Sequence, residues 1–303
     1  MRPAGIFTSK RCGSVVSGQP KPTVVITAGA AYFQITAVPT ATTTILNATN
    51  VAVTTVPVAT TVHDSVTVTG SLGTAAGTVI VDWFTNGTCT APATASSAAT
   101  ALVGGTVSVT GFPQTPVVAG SFAFQARYTP AVGSPYAAAK SGCETLTVTK
   151  VTPTVTTSIK KVGDSALANG AGVLAGTAIQ DTVTVTGTDS ILPSTGSGTV
   201  TFTRYANGTC AGVGTAQAGV ALTNVAPDVG TASSSSFATV VGVVSYKATY
   251  SGSTAYNSAS SACEGRFSSA GCPQAVTLSS ATTTPLPVRA LSSGALSGGG
   301  RTT

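Results

Sequence analysis

Asp64-Ser65-Val66-Thr67-Val68-Thr69-Gly70 places two valines on one side of an extended chain and hydroxyl side chains on the other. Side chains alternate across a β-strand, so a period of two marks a strand with one buried and one wet face. Threonine on the wet face keeps β-propensity without adding charge. The stretch returns as Asp181-Thr182-Val183-Thr184-Val185-Thr186-Gly187, 117 residues later. Asn86-Gly87-Thr88-Cys89 returns as Asn207-Gly208-Thr209-Cys210, and Ala126-Arg127-Tyr128 as Ala248-Thr249-Tyr250. Tyr136 returns as Tyr256 and Cys143-Glu144 as Cys263-Glu264, so these four offsets are 121, 122, 120 and 120. Five matches in one order mean a duplicated unit, and the period is that of a whole domain rather than of a solenoid turn.

Other segments read the same way. Val200 and Phe202 alternate with Thr201 and Thr203, and Leu146 and Val148 with Thr145, Thr147 and Thr149. Gly, Pro, Asn and Asp punctuate these runs at short intervals, as in a sandwich or barrel, and no helical stretch competes. The predicted fold class is all-β. Asn86-Gly87 and Asn207-Gly208 are expected to form type I′ hairpin turns, which need positive φ at both central residues. Asn86-Gly87-Thr88, Asn207-Gly208-Thr209 and Asn47-Ala48-Thr49 are also glycosylation sequons, though the turn is the plainer reading. Pro153 cannot donate within a central strand, so the boundary between copies falls at Val151–Thr154. The units are residues 39–152 and 153–268. Residues 1–38 read as the remnant of a truncated upstream repeat, with a strand pair or edge addition at Thr23–Thr27 and Tyr32–Val38. Residues 269–303 read as a flexible tail; 1–21 and 274–303 are expected to pack poorly.

Composition narrows the function. Of 303 residues only 7% are charged, and the net charge is +6. Residues 1–21 carry +4, residues 265–303 carry +3 and residues 22–264 carry −1. The repeats are therefore nearly neutral, and no concentrated basic face for nucleic acid is expected. No apolar run reaches the ~18 residues of a membrane-spanning helix. Met1–Gly18 has no apolar core of a secretory signal. Leu286-Pro287-Val288-Arg289-Ala290 is not followed by an apolar anchor. The chain reads as a fragment of a longer array, or as one whose true start differs from Met1.

Six cysteines allow fifteen connectivities. The repeat reduces them: Cys89 and Cys143 lie 54 apart and Cys210 and Cys263 lie 53 apart, in matching places. One disulfide per copy is the economical pairing, worth roughly 4 kcal/mol in the chain-entropy model. It places the chain in an oxidising compartment, outside the cell or at its surface. Cys12 and Cys272 are expected as free thiols. Cys12, Cys143 and Cys263 are each followed ten residues later by Pro22, Pro153 and Pro273, which makes Cys12 the last cysteine of a lost repeat. No Cys-x-x-Cys suggests zinc.

Gly198-Thr199-Val200-Thr201-Phe202, followed by Ala248-Thr249-Tyr250-Ser251-Gly252-Ser253-Thr254-Ala255-Tyr256-Asn257, resembles the bacterial Ig-like domains found in arrays on surface and secreted proteins. Gly77-Thr78-Val79-Ile80-Val81 and Ala126-Arg127-Tyr128 with Tyr136 are a looser first copy. The resemblance covers residues 39–268 and implies tandem Ig-like antiparallel Greek-key β-sandwiches, used as spacer, stalk or adhesion modules. The partners it implies are a surface ligand or neighbouring modules of the same array. The chain departs from antibody-type domains: Trp83 lies six residues before Cys89 and its counterpart is Arg204. A core tryptophan on the disulfide is therefore not expected.

Catalytic candidates are few. A serine–histidine–acid triad would have to use His63, the one histidine, which stands beside Asp64 and whose counterpart is Gln180. Glu144 and Glu264 match each other and are assigned a structural role, hydrogen bonding at the start of the last strand. Calcium needs several converging carboxylates, and Asp181 with Asp189 is the nearest approach. No catalytic, metal or cofactor site is assigned. Two aromatic groups, Trp83 with Phe84 and Tyr246 with Tyr250 and Tyr256, would serve a carbohydrate-binding face if exposed. The alternative to a spacer is therefore a carbohydrate-binding or accessory module of a larger secreted enzyme. Buried packing is the plainer reading of Tyr246 and Tyr250, which share a strand face.

Overall fold

The computed structural model of the chain describes residues 23–26, 33–163, 167, 171–187 and 198–270. All regular structure among them is β. The strands β1 (Thr23–Ile26) and β2 (Phe33–Thr36) pair antiparallel with each other, Thr23 against Thr36. Ten strands follow. They are β3 (Thr40–Asn47), β4 (Thr55–Pro57), β5 (Val62–Thr69), β6 (Gly77–Phe84), β7 (Ala95–Ser96), β8 (Thr100–Ala101), β9 (Thr106–Ser108), β10 (Gly120–Pro130), β11 (Ala139–Lys140) and β12 (Glu144–Thr149). They build a small sheet, β3-β5-β9, and a larger one, β4-β12-β10-β6-β7, with β11 on β10 and β8 on β6.

The remaining strands repeat this plan. They are β13 (Thr154–Lys161), β14 (Gly172–Leu174), β15 (Ala178–Thr186), β16 (Thr199–Tyr205), β17 (Thr215–Ala221), β18 (Thr223–Ala226), β19 (Val229–Ser233), β20 (Phe237–Ala238), β21 (Gly242–Tyr250), β22 (Ala259–Ser260) and β23 (Glu264–Ser269). One sheet runs β13-β15-β19-β18 and the other β14-β23-β21-β16-β17. In each copy one strand pair departs from an antiparallel sandwich. β4 pairs parallel to β12, and β14 parallel to β23. A chain that begins on one sheet and crosses to the edge of the other meets the last strand running in its own direction.

The alternation in the sequence is the alternation in burial. Val66 and Val68 are buried, Ser65 and Thr67 half-buried and Thr69 exposed. Ile45, Val66, Val79, Val81, Phe124 and Leu146 are fully buried between the first pair of sheets. Val183, Val185, Val200, Ala248 and Tyr250 are the equivalents between the second pair. Each such valine, leucine, isoleucine or phenylalanine side chain contributes ~1.5–3 kcal/mol by leaving water.

Strand ladders do not cross between residues 40–149 and 154–269. Among the described residues, one backbone hydrogen bond joins the two parts directly and two more fasten the linker residue Val151 to the second part. Ala119 N–H donates to Thr254 C=O (3.0 Å), Val151 N–H to Ala255 C=O (3.1 Å), and Asn257 N–H to Val151 C=O (2.8 Å). Asn257 Nδ2 also donates to Thr152 Oγ1 at 3.0 Å. Apolar packing continues through this joint, because buried residues of both parts form one contact cluster with Ala119 and Val151 packed against it. Pro39 stands before β3 as Pro153 stands before β13. The counterpart of Pro153 in the fold is thus Pro39, whereas Pro22 lies outside the described residues.

Candidate functional site

The structure bonds Cys89 to Cys143 and Cys210 to Cys263, with Cα separations of 5.7 and 5.8 Å. Each bridge ties the loop after β6 or β16 to the residue before β12 or β23. Cys12, Cys272 and Asp189 lie outside the described residues.

The loops carrying Cys89 and Cys210 are not type I′ hairpins. Neither Asn86 nor Gly87 has positive φ; the left-handed residues are Cys89 and Cys210, each at φ 51°. Asn86 Oδ1 accepts the N–H groups of Thr88 and Thr90, and Asn86 Nδ2 donates to Thr90 C=O. Asn207 does the same for Thr209 and Ala211. An asparagine side chain that mimics a backbone turn has replaced the turn that the dipeptide suggested. Glycine is required at 87 for another reason: a Cβ there would lie 2.0 Å from Ser121 Oγ. The amide of Asn47 likewise closes its own loop, accepting from Thr49 and Val51.

Buried acids form the second feature common to both copies. Glu144 Oε1 accepts Ile45 N–H at 2.9 Å, and Glu264 Oε2 accepts Ile159 N–H at 3.1 Å. Each glutamate opens the last strand of its copy and hydrogen-bonds there, as the matched positions suggest, and its partner lies on the first strand of the facing sheet. Asp64, 1% exposed, sits near Glu144, and Asp181, fully buried, sits near Glu264. Burial, then the neighbouring glutamate, pushes each aspartate up to about 8. Both are protonated at neutral pH.

The copies differ at Arg266. It occupies the place of Leu146, and it is fully buried rather than part of a basic tail. Its guanidinium donates to Leu167 C=O at 2.8 Å and to the Glu264 carboxylate. A buried arginine persists only when paired in this way. The first copy has its own ion pair instead. Arg127 binds Asp82 through two bonds of 2.6 and 2.8 Å, and Ser96 Oγ adds a third. Burial works upward on Asp82, but Arg127 and Ser96 outweigh it and hold the carboxyl below its usual range.

His63 is buried, and its Nε2 meets no hydrogen-bond partner among the described residues. Nε2 therefore has no nucleophile hydroxyl to accept from among the described residues. No group of three or more His, Cys, Asp or Glu converges among the described residues. The aromatic candidates are all internal. Trp83 is 5% exposed, stacked on Phe122 at 5.3 Å and tilted on Phe124 at 4.6 Å. Trp83 thus enters the core against Phe122 and Phe124. Phe84, Tyr246, Tyr250 and Tyr256 are buried too.

The register puts Arg204 in Trp83's place: Trp83 lies opposite Phe124, and Arg204 opposite Tyr246. The Arg204 guanidinium covers the Phe237 ring at 3.5 Å. A cleft of about 120 Å³ opens beside it, lined by Phe202, Gln217, Ser234 and Tyr246. Gln217 Oε1 already accepts from Ser235 N–H and Oγ, so part of its wall is satisfied internally. The first copy has a cleft of about 230 Å³ elsewhere, lined by Trp83, Phe122 and the Gln114–Val118 segment.

Fold and site together define an all-β protein with two sheet pairs of one topology, one disulfide in each. No family model matches the chain, and no curated protein matches it. Among solved structures, the C-terminal domain of the Streptococcus pyogenes antigen I/II-family protein AspA is similar over 76% of this chain and 99% of its own, at 9% identity and a TM-score of 0.27. The C-terminal domain of the Streptococcus agalactiae AgI/II polypeptide BspA is similar over 75% and 99%, at 8% identity and a TM-score of 0.27. Likeness at this level assigns no function to the chain. No helix among the described residues is long and apolar enough to cross a membrane.

Proposed function

We propose that the chain is a non-catalytic segment of an extracellular array. Its two Ig-like modules, residues 39–152 and 153–268, serve as spacer or adhesion elements of a surface or secreted protein. The observation that carries this is the entry to each module. Ala37 exchanges backbone hydrogen bonds with Pro135 and Ala137 just before β3, and Val151 does so with Ala255 and Asn257 just before β13. Both form a parallel bridge, Ala37 to Tyr136 and Val151 to Tyr256. A linker clasped twice in one way limits swivelling and favours a fixed spacing. Two disulfides support an oxidising location. On this reading the partners are neighbouring modules or a surface ligand, and no cofactor is needed.

The accessory-module reading requires an exposed aromatic face, and Trp83, Tyr246, Tyr250 and Tyr256 offer none. Small-angle scattering of the intact protein, with sedimentation on insoluble polysaccharides, tests both. A two-lobed pair-distance distribution without polysaccharide binding is expected. A single compact peak would refute the spacer, and saturable polysaccharide binding would favour the accessory module.

A further inference from the structure

The joint between the two sheet pairs has a donor half and a receiver half, and each half occurs once more with no mate among the described residues. The donor half is the segment leading into β10, where Ala119 is half-buried and gives its N–H to Thr254 C=O. The receiver half is Thr254–Ala255, and Ala255 there is only 3% exposed.

The ladders locate the second copies of these halves. Phe124 lies opposite Glu144 in β10–β12, and Tyr246 lies opposite Glu264 in β21–β23. That correspondence puts Val241 in the place of Ala119. The two parallel bridges put Ser134-Pro135 in the place of Thr254-Ala255. At these second copies the apolar side chains face outward. Val240 and Val241 are 70% and 63% exposed. Pro135 is half-buried where Ala255 is buried, and the adjoining Val132 is fully exposed.

We propose that the Val132–Pro135 face receives the Val240–Val241 segment of a second copy of this chain, so that copies associate head to tail. The occupant is identified by continuity with the internal joint, in which the same receiver already holds the same donor element. The inference rests on reading the two sheet pairs as like modules. Such a contact is heterologous, so it generates rows or rings rather than two-fold dimers. The internal joint is tethered by its linker and benefits from an effective concentration on the millimolar scale. The contact between copies lacks that tether and is weak and concentration-dependent.

The test is directional crosslinking of the full-length chain carrying C12S and C272S, which leaves the two disulfides as its only native cysteines. One preparation carries Ser134→Cys and another Val241→Cys; they are mixed and treated with a short bis-maleimide. The expected result is a heterodimer mapped to positions 134 and 241, formed at least severalfold faster than either homodimer. It should also outpace a control pairing of Ser134→Cys with Val213→Cys, a fully exposed position. Equal rates in all pairings would overturn the proposal. So would failure of a monofunctional maleimide to label the Ser134→Cys variant, since the chain's own first residues would then cover the face. If crosslinking fails while scattering stays two-lobed, the array reading survives and the head-to-tail contact falls. A compact scattering profile would remove both.

Discussion

Glu144 and Ile45 are 99 residues apart in sequence, yet the glutamate carboxylate accepts the isoleucine N–H across the two sheets at 2.9 Å. Ile45 is fully buried and lies in β3, an edge strand of the small sheet. An edge N–H in a dry place needs an acceptor. Glu264 supplies one to Ile159 in the same way. Glu144→Ala should destabilise by ~1–3 kcal/mol, the usual consequence of orphaning a buried donor. Glu144→Gln keeps a carbonyl acceptor and should lose clearly less. Urea titrations of both variants check this; equal losses would show that the bond is not the cause.

The buried aspartates set a pH dependence of definite sign. Asp64 and Asp181 are raised to about 8 in the folded chain, against ~3.9 unfolded. Between those values the folded state holds more protons than the unfolded one, so stability falls as pH rises. The contribution is complete below pH ~4 and is lost by the time pH passes ~8. Asp82 acts oppositely: its lowered value adds stability that is lost on acidification. We expect the thermal midpoint to drop by roughly 5–10 °C from about pH 5 to about pH 9. Asp64→Asn with Asp181→Asn should flatten that slope. An unchanged slope in the double variant would place its origin elsewhere.

The two disulfides should act independently. Each closes a loop of more than fifty residues, and replacing Cys89 and Cys143 by serine should cost the first sheet pair about 2–5 kcal/mol. Trp83, the one tryptophan, is a reporter for that half alone. Its emission should be blue-shifted and poorly quenched by iodide in the native chain. In the variant its urea midpoint should fall, while the matching substitution at Cys210 and Cys263 leaves it nearly unchanged. Equal shifts from both substitutions would mean that the continuous packing at the joint couples the halves into one unfolding unit.

Gly77 and Gly198 open equivalent strands with φ of 149° and 88°. A Cβ at Gly198 would lie 2.3 Å from Gly252 C=O, and one at Gly77 would lie 2.2 Å from Thr129 C=O. Alanine at either site should destabilise by well over ~1 kcal/mol, since strain and overlap add. Gly73→Ala is the control: φ is 97°, but the space is open. Its loss should be the smallest of the three in thermal melts.

The period of two, the repeat and the cysteine spacing are readable without coordinates, because each depends on neighbours in sequence or on comparing one copy with the other. Strand alternation is dictated by backbone geometry at every residue, so Val66 and Val68 declare their face locally. The turn at Asn86-Gly87 is ambiguous in sequence because a side-chain cap and a backbone I′ turn favour the same dipeptide. Only the loop's return to Cys143 chooses between them. Arg266 looks like part of a basic tail, since nothing local says that a carboxylate and a carbonyl close over it. The cover over Trp83 is not written in its own strand, since its counterpart is arginine; Phe122 and Phe124 arrive from a distant strand and enclose it. Tertiary structure alone decided which strand receives Glu144, which aromatics are covered, and how Ala119 meets Thr254. Those are long-range pairings, fixed by how the sheets stack and by how one sheet pair is clasped to the next.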